Sequence, residues 1–356
     1  MSRSAPALFP ALPPHLVPGG ERVRLEAGSE LLASLAEYVA GAASLSDAES
    51  VAILGVLLER VPEGTAAGIA PQAPALGLPA QALLADDAAH DRYFHVRRIA
   101  ASEGHAFLRT ILLAAVLFHT ELASGSAAGE SGRFVALGGG LMALLGYIAG
   151  LPLEPVEHGA SDGPAAHARF DPMHRWVIGH QIFAALTQGI IFSLQDFEAA
   201  MRDRDEERAR QALKLCADLM LASASAFRFT ADFPPAAYAD VVRPSMMGQE
   251  VGEGFSGLLS VDHRRLVATL VRIRPLMGQT AQRLRLVAEH ERLKYALDQV
   301  YGDHKYVCAR FGGAERPSLR CPNASPLPGV EQLDRYQRAR VELLCPHSDA
   351  DPITLA

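Results

Sequence analysis

The side chains best suited to chemistry lie in the run Tyr301-Gly-Asp-His-Lys-Tyr-Val-Cys-Ala-Arg-Phe-Gly-Gly313, which sets His304 four residues before Cys308. Residues 284–301 read as a helix and Gly312-Gly313 as its stop. The pair is therefore expected on one helical face, about 6 Å apart along the axis. An imidazole and a thiol so placed suit a metal ion or a porphyrin, with the ring nitrogen on iron and the sulfur at the macrocycle edge. Taken alone, the pair has a competing reading as a packed histidine and a buried free cysteine.

Upstream lie Val242-Arg-Pro-Ser-Met-Met-Gly248, Gly254-Phe-Ser-Gly-Leu258 and Asp262-His263, with forty residues between His263 and His304. Phe311-Gly-Gly and Arg316-Pro-Ser-Leu319 follow the pair. An earlier segment, His174-Arg-Trp-Val-Ile-Gly-His180, continues to Phe183 and Gln188-Gly189. In this order the motifs resemble the C-terminal half of the heme-dependent aromatic oxygenases, the superfamily of tryptophan and indoleamine 2,3-dioxygenases. Within it they are most similar to the 3-methyl-L-tyrosine hydroxylases of saframycin-type biosynthesis. The likeness covers about residues 93–319. The N-terminal substrate motifs of the dioxygenases are absent.

That resemblance implies a heme bound by two histidines and one thioether, with His304 as the principal iron ligand, His263 as the second and Cys308 as the covalent anchor. It implies oxidation of an aromatic amino acid by H2O2 or O2, with ring hydroxylation of a tyrosine derivative such as 3-methyl-L-tyrosine foremost. Tryptophan or indole oxygenation in the same superfamily is the alternative. A bis-histidine electron carrier or heme sensor is the alternative of another class. His263 could instead bond backbone at a helix start beside Asp262. Trp176 and His180, four apart on one face, are expected to line the pocket, with His180 as a catalytic candidate. A polar-tipped core pair is the bland version. Arg243 is the candidate for gripping a substrate carboxylate, because its fork matches that group, and a structural salt bridge is its rival. Tyr93, His95 and Arg97 are further candidates from the N-terminal half. Cys216 sits on an apolar helical stripe and reads as core.

The elements that must position these residues are helical. Apolar periodicity marks helices near 29–39, 46–60, 103–122, 176–195, 206–229 and 329–344, and two helices over 263–301 broken near Met277-Gly278. Asp171-Pro172 has the form of an N-cap and first turn. Residues 64–79 and 154–169 read as loops. The segment 231–257, with three prolines and four glycines, is expected to lie across the pocket, its Gly-rich end giving slack beside His263. No alternating strand pattern and no internal repeat is evident. The expected fold is all-α, a single large helical domain of the tryptophan 2,3-dioxygenase-like type enclosing a heme. It divides into a disordered N-terminal tail at 1–22, a catalytic domain at 23–320 and a C-terminal surface extension at 321–356.

Composition narrows the partners. The chain has 356 residues, 49% of them apolar, which is enough for a large core, and its net charge of −7 with no basic run argues against nucleic acid. Residues 134–153 carry no charge over twenty positions, long enough to span a bilayer. The glycines within that stretch, and polar groups in the equally uncharged 176–195, favour buried core helices and no membrane. Four cysteines without a Cys-x2-Cys pair indicate neither a zinc framework nor a disulfide scaffold, and free thiols fit a cytoplasmic location. The Cys-x-x-Cys-His motif of ordinary c-type heme is absent. A thioether at Cys308 would therefore form in the cytoplasm from the heme's own reactivity. A homodimer is left open.

Overall fold

In a computed structural model, which describes residues 8–67, 80–124, 134–153, 171–247, 260–280, 283–312 and 329–345, the core is a layered array of long helices. The longest, α6 (Pro172–Asp203), begins where Asp171 accepts a hydrogen bond from Met173 N at 3.0 Å, with Pro172 at the first position, and stops at Arg204 in the left-handed region. It packs along α7 (Glu206–Thr230), whose start is capped by Asp205. On these two lie α4 (Glu103–Ala123), α5 (Val135–Ile148), α10 (Val261–Thr280) and α11 (Val287–Gly312). The outer layer holds α1 (Gly20–Gly41), broken at Gly28 where φ is +74°, and α2 (Asp47–Glu59), which opens on a Ser46/Glu49 capping box. The all-helical class expected from periodicity holds.

Four features depart from the sequence reading. The first is a small sheet. β1 (Phe9–Ala11) runs parallel to β3 (Val96–Ala100), and β2 (Thr65–Ala66) runs antiparallel to it on the other side. β1 and β2 are too short to show alternation, and the five residues of β3, Val-Arg-Arg-Ile-Ala, do not alternate apolar with polar, so no pattern marks the sheet. The second is the expected disordered tail, which does not hold over 9–22. Phe9, Ala11, Leu12 and Val17 are buried, and α1 begins at Gly20, because a Pro/Ala-rich segment can still dock apolar side chains against a finished core.

The third concerns the C-terminal extension, which is a wall rather than a surface wrap. Besides α3 (Ala80–Tyr93) and the single-turn helices α8 (Pro235–Ala237) and α9 (Arg243–Ser245), the remaining helix is α12 (Gly329–Leu344), which packs on α11 and α10 with Leu333, Leu343 and Leu344 buried. The fourth is the break after α10, which follows Thr280 and not Met277-Gly278; Met277 is fully buried within the helix. The Gly-rich stretch beside His263 and Cys321 lie outside the described residues.

Two helices, α4 and α6, are long and apolar enough to cross a membrane by length and composition, and both sit in the core. The uncharged run at 134–153 forms only the 14-residue α5. Close helix contact is set by glycine at Gly179, where an added Cβ would come within 2.9 Å of the Thr230 backbone and closer still to its side chain. Gly179→Ala is therefore expected to push α6 off α7 and to cost about 1–3 kcal/mol, measured as a lower urea midpoint with helical content retained.

Candidate active site

A largely apolar cavity of about 320 Å³ lies between α6, α7, α10, α11 and α12, in the size range of small-molecule sites. His304 and Cys308 reach it from consecutive turns of α11. The His304 ring stacks on Phe227 of α7 at 4.4 Å and 17°. One residue after Phe227 on α7 and one before His304 on α11, Arg228 grips Asp303 at 2.6 Å, so the register that presents His304 is held by an ion pair. Burial pulls the His304 imidazole down to about 4 and pushes the Cys308 thiol up to about 11. At neutral pH both are uncharged, the state an apolar wall requires.

Trp176 and His180 face the same space from α6. The His180 ring lies between Phe94, stacked at 4.1 Å and 13°, and Trp176 at 4.4 Å. Its Nδ1 sits 2.8 Å from the Trp176 carbonyl oxygen. A carbonyl only accepts, so Nδ1 carries the proton and Nε2 is left as the acceptor. Burial, with smaller contributions from His90 and His304, pulls this imidazole down to about 3. The unfolded chain takes up a histidine proton near pH 6.5, well before folded His180 does. Stability is thus unaffected above that value and falls as pH drops from there toward 3. Between pH 7 and 5 the urea midpoint of the wild-type chain should decline more steeply than that of His180→Phe, which keeps the ring stack without the titrating nitrogens.

His263 lines the cavity from the first turn of α10, and a buried charge network fixes that turn. Arg98 of β3 is 4% exposed; it forks onto Asp91 at 2.8 and 2.8 Å and onto Asp262 at 2.8 and 3.1 Å, and donates to the Leu12 carbonyl. Gln188 of α6 donates to both Leu12 O and Asp262 Oδ1. Burial alone would raise the Asp91 carboxyl, but the Arg98 charge and hydrogen bonds hold it below its ordinary value. Four stretches of chain distant in sequence are thereby clamped beside His263.

Arg243 and Met246 follow a π turn at Tyr238–Val242 and close another side of the cavity. Among the described residues Arg243 makes no ion pair. The six candidate site residues from the sequence, Trp176, His180, Arg243, His263, His304 and Cys308, all line this one cavity. The Tyr93, His95 and Arg97 set does not. Arg97 is exposed, Tyr93 is turned to Ser245 Oγ at 2.6 Å, and the same segment instead sends His90 and the Phe94 ring inward. His90 and Tyr93 belong to the end of α3 and His95 has φ +54°, so the turn from helix into β3 decides which of these side chains face in. Cys216 is fully buried on α7 with its thiol pushed up to about 12 by burial, a core residue as expected.

The family described as SfmD 3-methyl-L-tyrosine peroxygenase matches residues 10–289. This chain belongs to that family. The 3-methyl-L-tyrosine peroxygenase of Streptomyces lavendulae is 28% identical over 220 residues, 60% of this chain and 57% of the relative, so the match spans less than two thirds of the relative's length. The crystal structure of reduced SfmD, obtained by soaking with sodium hydrosulfite, superposes with a TM-score of 0.62 at 21% identity, over 84% of this chain and 97% of that one. It shares the fold. The likeness to 3-methyl-L-tyrosine hydroxylases drawn from the motifs is thus met at the level of the family. Within the SfmD family match lie Trp176, His180, Arg243 and His263; His304, Cys308 and α12 follow its end.

Proposed function

We propose that this protein is a heme-dependent peroxygenase that hydroxylates the ring of a tyrosine derivative such as 3-methyl-L-tyrosine, with H2O2 or O2 as oxidant. The observation that carries the reading is the convergence of His263, His304 and Cys308 on one apolar cavity, in a chain of the SfmD family.

The residues present fit a heme. Among the described residues no three His, Cys, Asp or Glu side chains gather as a site for a bare ion. Two imidazoles on separate helices suit instead a group that brings further iron ligands of its own. His304 is uncharged and makes no hydrogen bond among the described residues, so it would serve as the principal iron ligand. His263 would be the second ligand. The Cys308 thiol, held protonated by burial, suits a carbon–sulfur bond at the macrocycle edge better than a thiolate bond to iron. Trp176 would flank the group. A heme bound here supplies transfer of an oxygen atom from the oxidant to an electron-rich ring.

The chain's own residues then bind and orient the substrate. Arg243 would hold the amino-acid carboxylate through its fork. His180 Nε2, fixed as acceptor by the Trp176 carbonyl, would accept a hydrogen bond from the phenol hydroxyl and so orient the ring. The apolar lining of Phe183, Phe227, Leu266 and Leu270 excludes bulk water around the ring.

An absorption spectrum of the heme-loaded protein, alone and with tyrosine, 3-methyl-L-tyrosine and tryptophan, tests this reading. A shift selective for the tyrosines, and a product heavier by one oxygen atom when H2O2, or O2 together with a two-electron reductant, is supplied, are the expected results. A spectrum indifferent to every aromatic amino acid, with no oxygenated product, would return the electron-carrier reading to first place.

A further inference from the structure

The helix beyond the family match carries an unexplained charge. On α12 the residues facing the body of the fold are Leu333, Tyr336, Arg340 and Leu344, spaced as one helical stripe. An apolar residue is what such a stripe calls for at 340. The guanidinium there is half-buried and lines the same cavity as His304. The helix is not loosely placed. Lys305 pairs with Asp334 and donates to Gln337 at 2.6 Å, Gln337 donates to Asp298 at 2.9 Å, and the buried His290 Nε2 donates to the Leu344 carbonyl at 2.7 Å.

Several enclosed arginines elsewhere pair with carboxylates: Arg98 with Asp91 and Asp262, Arg175 with Glu121, Arg264 with Asp87, Arg292 with Asp218. Arg340 has no hydrogen bond or ion pair among the described residues. A partly enclosed guanidinium that lines a cavity without a counter-charge leaves its fork of donors open to an anionic group of a ligand. Arg243, on a different wall, is in the same condition.

We propose that Arg340 is a carboxylate anchor of the cavity, delivered by the C-terminal helix. The group it takes is a carboxylate on a planar ligand, either the propionate of a porphyrin or the α-carboxylate of an aromatic amino acid. The inference rests on the heme and aromatic-substrate reading for the identity of the ligand, and its test separates the two. It assigns α12 to the binding site, and a chain truncated before 329 would lack this contact.

The chain has one tryptophan, Trp176, and it lines this cavity, so its fluorescence reports binding there. Full-length wild-type protein, Arg340→Gln and Arg340→Lys are titrated with iron protoporphyrin IX and its dimethyl ester, and separately with L-tyrosine and tyramine, which lacks the carboxylate. Loss of one charge-assisted pair corresponds to weakening of about 10-fold or more. Arg340→Gln is expected to lose that factor for one carboxylate-bearing probe, with the matching ester or amine unchanged and Arg340→Lys intermediate. A deficit against iron protoporphyrin IX assigns the propionate; a deficit against L-tyrosine assigns the substrate. Equal affinity of the wild type within both pairs, a comparison that needs no variant to fold, overturns the proposal. So does an Arg340→Gln protein that binds all four probes as the wild type does. Failure of the wild type to take up any porphyrin would defeat the heme reading while the tyrosine and tyramine pair still judged Arg340.

Discussion

Arg98→Met is expected to destabilise the protein by about 3–5 kcal/mol, the cost of breaking a buried ion pair by removing one partner. Methionine matches the length of the stem but leaves the Asp91 and Asp262 carboxylates, 6% and 2% exposed, without their cation. It also removes the donor to Leu12 O, which Gln188 then holds alone. The loss is registered as a lower urea midpoint by circular dichroism with an unchanged slope. Arg98→Lys should recover only part of it, since an ammonium cannot fork onto two carboxylates at once. Asp91 sits below its ordinary value in the fold, so its share of the stability is present above the unfolded carboxyl pKa and is lost as pH falls through the folded one. The wild-type advantage over Arg98→Met should accordingly narrow toward acid pH. A loss under about 1 kcal/mol would mean that both carboxylates find water when the arginine leaves. Because Asp262 adjoins His263, the surviving Arg98→Met protein should also show an altered spectrum once loaded with the proposed heme.

His304→Ala is expected to give protein largely free of heme, because the proposed principal axial bond has no substitute on α11. His263→Ala should keep heme and shift its resting spectrum from six-coordinate low spin toward an open or water-bound iron. Cys308→Ser should bind heme through His304 and release it to acid-acetone, whereas the wild-type heme should stay with the chain through denaturation. A carbon–sulfur bond survives unfolding and an iron–nitrogen bond does not. Intact mass of the denatured, heme-loaded wild type is the deciding measurement. A mass equal to that of the heme-free chain would leave Cys308 as a wall residue and remove the thioether from the proposed chemistry. The three variants fail in different ways, so a folding defect common to all would be recognised at once by circular dichroism.

The sequence by itself determined what depends on neighbours a few residues away. The helices at 46–60, 103–122, 206–229 and 329–344 were legible because amphipathic period and capping residues act over single turns. The four-residue spacing of His304 to Cys308, and of Trp176 to His180, placed each pair on one face for the same reason. Tertiary structure alone decided the rest. Strands of two or three residues gain their hydrogen bonds from partners some thirty to ninety residues away, which no local pattern announces. Arg98 looked like one of several charges in a mixed run until folding placed it between Asp91 and Asp262. The terminal helix looked like surface because its inward stripe is short and carries Arg340. That arginine faces a cavity only because α10 and α11 leave room for it, and a void is a property of how helices pack, which sequence spacing does not record.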